Sequence, residues 1–204
     1  METQLTLDEL AEQVVAVLST RSRKEYNRPD LRRAAVLVPL FLVEGRVHVL
    51  LTKRTDTVEH HKGQVSLPGG SSDAGDSDAV ATALRETEEE LGIPPHRIRV
   101  LGTLDDVPTF VSGFVVTPVV GVIPHPLDLH ISAGEISEIL IIPIDVFLDP
   151  GKVRVEERER EGERVQVYFY RHEGHEIWGA TARILKGLVE TVFGGAGSVI
   201  GNND

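Results

Sequence analysis

Residues Gly69 to Ile93, GGSSDAGDSDAVATALRETEEELGI, set a glycine turn ahead of a helix-forming run that ends in a crowd of glutamates. Glu86, Glu89 and Glu90 stand at i, i+3 and i+4, so a repeat of 3.6 residues per turn puts them on one helical face. Like charges at that spacing cost roughly a few tenths of a kcal/mol. Leu91-Gly92 reads as the helix end, so these carboxylates also face the negative end of the helix dipole. A divalent cation would turn this liability into a site. Mg²⁺ or Mn²⁺ takes oxygen ligands, commonly a few carboxylates together with substrate phosphates. Glu86 and Glu90 can point at a common ion, with Glu89 beside them, while Glu88 faces elsewhere and reads as surface. Without its surroundings, the same run would be a solvated helix face.

The segment resembles the Nudix box, G-x5-E-x7-R-E-U-x-E-E-x-G-U, where U is a bulky apolar residue. Arg85 to Ile93 matches the second half at its charged and glycine positions, with Thr87 at an apolar position. The first half departs. Counting back from Arg85, the usual acid falls on Ser77, flanked by Asp76 and Asp78, and Gly70 lies one residue too far upstream. The resemblance implies that the glycine turn lends a backbone carbonyl, at Gly70, to the metal. It favours Arg85 orienting a box carboxylate through a forked hydrogen bond over an i, i+4 pair with Glu89. It also implies a further carboxylate, a catalytic base or extra ligand, in a loop outside the helix. Glu135 and Glu138, just before a strand, are the candidates.

Upstream, Leu50-Leu51-Thr52-Lys53-Arg54 and His61-Lys62-Gly63-Gln64-Val65-Ser66-Leu67-Pro68-Gly69-Gly70 resemble the additional signature of coenzyme A pyrophosphatases within the Nudix group. Gly102-Thr103-Leu104-Asp105, Ser112-Gly113-Phe114 and Ile177-Trp178-Gly179-Ala180-Thr181-Ala182-Arg183 look like that subgroup too. The implied activity is hydrolysis of coenzyme A to 4′-phosphopantetheine and adenosine 3′,5′-bisphosphate. Arg54, His61, Lys62 and Gln64 carry donors suited to substrate phosphates. Trp178 reads as a core anchor at a helix start rather than a base-stacking platform.

Composition narrows the rest. The 204 residues suit one domain with a proper core, and 41% apolar with 26% charged residues is ordinary globular usage. The formal charge of −11 argues against a nucleic-acid binder, which would carry a basic footprint. An acidic chain acting on anionic phosphates must import positive charge, and a bound metal does so. No cysteine is present, which excludes disulfides, thiolate catalysis and cysteine-ligated zinc. No apolar run approaches the ~18 residues of a membrane span. The acidic start METQLTLDELAEQ does not resemble a signal peptide, so a cytoplasmic location is the expectation.

Thr6 to Glu9 reads as a capping box opening a helix to about Thr20. Ala34–Val43 and Arg46–Lys53 form a predicted hairpin at Glu44-Gly45. A long loop runs from Thr55 to Gly75, then the box helix from about Ser77 to Leu91 with Val80, Leu84 and Leu91 facing the core. Strands follow at Arg97–Leu104, Phe114–Ile123 and Ile139–Ile144, with a short helical turn at Ile144–Leu148. A second hairpin pairs Val153–Arg160 with Arg164–Arg171, and a final amphipathic helix spans Trp178–Phe193. This order predicts an α/β protein with a mixed β-sheet covered on two sides, and the Nudix resemblance implies an α/β/α sandwich. We expect residues 1–33 to be an N-terminal helix and connector packed on a domain of residues 34–193, with a mobile tail over 194–204.

The expected function is metal-dependent hydrolysis of a diphosphate linkage in a small nucleotide derivative, coenzyme A foremost, with Glu135, Glu138 or Glu89 accepting the proton of the attacking water. Two rivals stand beside it. One is a Nudix hydrolase of another nucleoside diphosphate derivative such as ADP-ribose, and the other is a non-catalytic nucleotide-binding module on the same fold. A homodimer is left open by the sequence.

Overall fold

Strand β1 (Arg32–Val43) is buried from Ala34 to Phe41 apart from the half-buried Val36, so this stretch must have cover on both faces. The computed structural model describes residues 5–55, 63–109, 112–160 and 163–194. β1 turns into β2 (Arg46–Arg54) through Glu44 and Gly45, both at positive φ (50° and 77°), which suits the twist of a tight hairpin. Its other edge runs parallel to β7 (Phe114–Val122). The remaining members of this sheet are β3 (Val65–Ser66), β4 (Gly69–Ser71), β5 (Arg99–Thr103), β6 (Val107–Thr109) and β8 (Ile136–Pro143), giving a mixed sheet of eight strands among the described residues. β4 pairs with β1 through Ala35↔Gly70 and Val36↔Gly69, which brings the glycine turn to the central strand.

Strand alternation divides the core. Val38 and Leu40 of β1 join one hydrophobic cluster, and Ala35, Leu37 and Phe41 join the other. The second cluster takes Ala83 and Leu91 from α2 (Ala79–Leu91), with Val80 and Leu84 packed against it. The first takes Leu10 and Val14 from α1 (Leu7–Ser19), and Ile184, Leu185 and Leu188 from α4 (Gly179–Leu188). Helices therefore cover both faces of the sheet, as an α/β/α sandwich requires. The short α3 (Asp145–Leu148) lies where a helical turn is expected.

A smaller antiparallel sheet of β9 (Val153–Arg160), β10 (Glu163–His172) and β11 (His175–Trp178) completes the fold. Three expectations shift. The Thr55–Gly75 segment holds β3, which pairs with β2, and β4, where the glycine turn finds backbone partners on β1. Trp178 closes β11, pairing with Phe169 across the sheet, and is at once the N-cap of the last helix, which begins at Gly179. That helix also gives way to a π-helical turn at Val189–Phe193. Gly195 to Asp204, most of the expected tail, lies outside the described residues.

The Thr6–Glu9 capping box forms as expected. Beyond it, the connector is pinned by two adjacent aspartates. Asp105 accepts from the Lys24 backbone N–H at 3.0 Å and pairs with Arg21. The buried Asp106 accepts from the Tyr26 N–H (3.0 Å), Thr117 Oγ1 (2.8 Å) and Arg33 Nη1 (3.2 Å). These bonds satisfy a carboxylate that would otherwise be costly to bury.

Candidate functional site

Helix α2 starts where Asp78 accepts the Ala81 N–H at 2.8 Å, and it stops at Gly92, whose φ of 71° lets its N–H close on the Glu88 carbonyl. Two further carbonyls at that end are taken up by the loop before β8. His130 donates its N–H to the Leu91 carbonyl (2.9 Å) and Ser132 to the Glu90 carbonyl (3.0 Å). The same loop returns to β2 through the Thr55 N–H and the Glu135 carbonyl, at 2.8 Å. Helix capping thus carries Glu135 toward the acidic face.

The three glutamates have different surroundings. Glu90 is 5% exposed, and its Oε2 accepts the Gly69 backbone N–H at 3.2 Å. Burial pushes its carboxyl up to about 7; the Gly69 bond and the Arg54 charge oppose this, while Glu86 and Glu135 add smaller repulsions. Glu86 lies against Gly70, where an added Cβ would come 2.5 Å from the carboxyl carbon. Burial raises its pKa as well, against the nearby Arg85 guanidinium. Glu89 stands at the rim, its side chain 59% exposed. Thr87, at the apolar position of the box, is fully buried and donates its hydroxyl to the Ala83 carbonyl at 2.7 Å.

Arg85 does both things the sequence offers. Its Nη1 reaches Glu86 (2.9 Å) and Glu89 (3.3 Å), while Nε and Nη2 form a fork on Asp76, each at 3.0 Å. That fork holds the Asp76 carboxyl well below the usual carboxylate range. Asp76 also accepts from Thr82 Oγ1 (2.9 Å) and the Asp73 N–H (2.9 Å). Asp76, which the count back from Arg85 passed over for Ser77, is the acid that Arg85 grips. The G-x5-E step is intact from Gly70 to Asp76, and one extra residue lies between that acid and Arg85. Counting forward from Gly70 instead of back from Arg85 finds it.

An oxygen-only set of Glu86, Glu89, Glu90 and the Gly70 carbonyl suits a hard divalent cation in its chemistry, and so does a buried carboxylate short of counter-charge. The expected convergence on one point is absent, however. Among the described residues no three Asp, Glu or His side chains are gathered as an ion would hold them. The reason is local. Arg85 draws Glu86 and Glu89 to its guanidinium, while Glu90 turns inward to the Gly69 N–H.

A cleft of about 680 Å³ opens from the glycine turn. Arg54, Gln64, Gly69 and Gly70 line one part; Val36, Val107, Phe114 and Val116 form an apolar floor. Val165, Val167 and Trp178 of the small sheet, with Gly179, Thr181 and Arg183 of α4, complete the wall. Arg54 lies 3.9 Å from Glu90 through Nη1, and its buried Nε has no hydrogen-bond partner among the described residues. Trp178 is 39% exposed, so it is not the core anchor expected: alternation along β11 sends Ile177 to the core and Trp178 to the opposite face. Glu138 pairs with Lys53 Nζ and His175 Nε2, each at 3.3 Å. His61 and Lys62 lie outside the described residues. No helix among the described residues is long and apolar enough to cross a membrane.

Residues 31–159 match the NUDIX domain family. The chain is 40% identical over 161 residues to the protein named Uncharacterized Nudix hydrolase NudL of Photorhabdus laumondii, covering 79% of this chain and 85% of that one. It is 37% identical over 184 residues to the protein of the same name in Citrobacter koseri, covering 90% and 93%. Its fold is similar to that of a MutT/nudix family protein from Enterococcus faecalis, with a TM-score of 0.51 at 19% identity over 94% of this chain and 71% of that one.

Proposed function

The chain belongs to the Nudix family, and from that premise we propose that its cleft hydrolyses the diphosphate linkage of a nucleoside diphosphate derivative, with coenzyme A as the leading substrate. The observation that carries this reading is the bond from the Gly69 N–H to the buried Glu90, which joins the glycine turn lining the cleft to the acidic helix face.

Glu86, Glu89, Glu90 and the Gly70 carbonyl would hold Mg²⁺ or Mn²⁺, which when bound neutralises phosphoryl oxygens and lowers the pKa of an attacking water. The chain's own residues do the rest. Arg85, clamped on Asp76, orients the Glu86 carboxylate beneath the glycine turn. Arg54 lines the cleft and carries a guanidinium suited to a phosphate oxygen, and Gln64 lines the same part. His61 and Lys62 extend this donor set in the sequence. Glu135 is exposed and close enough to raise the Glu90 pKa, so we assign its carboxylate as the acceptor of the water's proton. Glu138 is the weaker candidate, because Lys53 and His175 already engage it.

Coenzyme A leads because the upstream signature at Leu50–Arg54 and His61–Gly70 accompanies the box. A panel of coenzyme A, ADP-ribose and dinucleoside polyphosphates, assayed with Mg²⁺ and Mn²⁺ and read by product mass, tests it. We expect 4′-phosphopantetheine and adenosine 3′,5′-bisphosphate as the dominant products. Equal turnover of ADP-ribose would remove the preference, and binding without turnover would leave a non-catalytic module.

A further inference from the structure

The cleft wall built by the small sheet and α4 carries chemistry that diphosphate hydrolysis does not use. Arg154, Phe169 and Trp178 are direct cross-strand neighbours on β9, β10 and β11, so they form a row on one face of the small sheet. The Arg154 guanidinium lies 4.0 Å from the Phe169 ring centroid. Trp178 stacks beside Phe169 with an 11° interplanar angle, and Phe169 is itself buried. The indole is therefore held in a fixed orientation by a packed ring, while 39% of the residue stays open at the cleft. An apolar surface kept rigid and wet is a cost to the fold, and a flat ligand ring would remove it.

Arg183 lines the same cleft from α4. Arg154 and Arg158, its counterparts on the small sheet, are each paired with Glu156. Arg183 is exposed and has no carboxylate or carbonyl partner among the described residues. In a chain of formal charge −11, a guanidinium without a carboxylate at a cleft is positioned for an anion from outside.

We propose that this wall is a subsite for a nucleoside whose ribose carries a phosphate of its own, separate from the diphosphate that is cleaved. The base stacks on Trp178 and the additional phosphate pairs with Arg183. This rests on the diphosphatase reading and adds to it the residues that select the nucleotide end of the substrate.

The chain contains a single tryptophan, so indole fluorescence reports occupancy of this wall directly and without turnover. Metal-free protein is titrated with adenosine 3′,5′-bisphosphate and, in parallel, with adenosine 5′-monophosphate. Saturable quenching is expected with both, about tenfold tighter for the bisphosphate, and Arg183→Gln should bring the two together. In turnover, Trp178→Ala should raise KM for coenzyme A about tenfold while kcat falls far less. Arg183→Gln should erase the preference for coenzyme A over 3′-dephospho-coenzyme A. Quenching without hydrolysis of any diphosphate would leave the subsite standing and defeat the hydrolase reading. Normal coenzyme A turnover with no quenching, or a bisphosphate preference that survives Arg183→Gln, would overturn the subsite alone.

Discussion

The Gly69 backbone N–H donates to Glu90 Oε2 at 3.2 Å, so the glycine turn and the last turn of α2 are joined through a carboxylate that is 5% exposed. A side chain at Gly69 would break this arrangement, since its Cβ would meet the Ala35 carbonyl at 2.4 Å. Removing the charge of Glu90 while keeping its shape tests the function of the joint. Glu90→Gln should lower diphosphate turnover by about two orders of magnitude or more, beyond the roughly 10- to 100-fold typical of outer partners in metal sites. Circular dichroism should stay native. Near-normal turnover would take Glu90 out of the reaction.

The same burial gives a pH signature in metal-free protein. The Glu90 carboxyl is pushed up to about 7 from its ordinary 4.5. A raised acid favours the folded state when protonated, so its contribution is complete below the unfolded value and is lost as pH rises through the folded one. Chelator-treated wild type should therefore lose thermal stability between pH ~4.5 and ~7. Glu90→Gln should flatten this part of the curve. Parallel melting curves for the two proteins would contradict the assignment.

Asp76 works in the opposite sense. Arg85 holds its carboxyl below the ordinary 3.8, so its contribution is present above that value and lost on acidification. Asp76→Asn should free Arg85 from its fork and reduce turnover about 10- to 100-fold. It should also weaken the acid limb of the stability profile. Unchanged kinetics would mean that Arg85 is oriented by the glutamates alone.

Gly70 is tested by size. An alanine methyl would sit 2.5 Å from the Glu86 carboxyl carbon and 2.6 Å from its Oε2. Gly70→Ala should leave denaturant unfolding nearly unchanged, because the clash falls on the free end of the Glu86 side chain, which can swing away, and should cut turnover as that carboxylate is displaced. Gly134→Ala has open space around its Cβ and serves as the control, expected to leave unfolding unchanged.

Local rules made much of this protein legible from its residues. The capping box at Thr6, the hairpin at Glu44-Gly45, and the box helix with its glycine stop all depend on neighbours a few positions apart. The common face of Glu86, Glu89 and Glu90 follows from helical geometry alone. Asp76 was hidden because one extra residue before Arg85 shifted the count, and a loop absorbs such an insertion without changing which groups meet.

What local spacing could not supply was decided by long-range pairing. Glu135 and Glu138 look equivalent in sequence, yet capping of α2 by the loop at His130–Ser132 carries one toward Glu90, while strand pairing hands the other to Lys53. Trp178 looked like an interior residue, and its register against Phe169 turned it toward the cleft. The sequence by itself determined the acidic helix face and the glycine turn, because both arise within one stretch of chain. Only the tertiary structure decided what surrounds them, because the burial that raises Glu90 and the walls that form the cleft come from strands and helices distant in sequence.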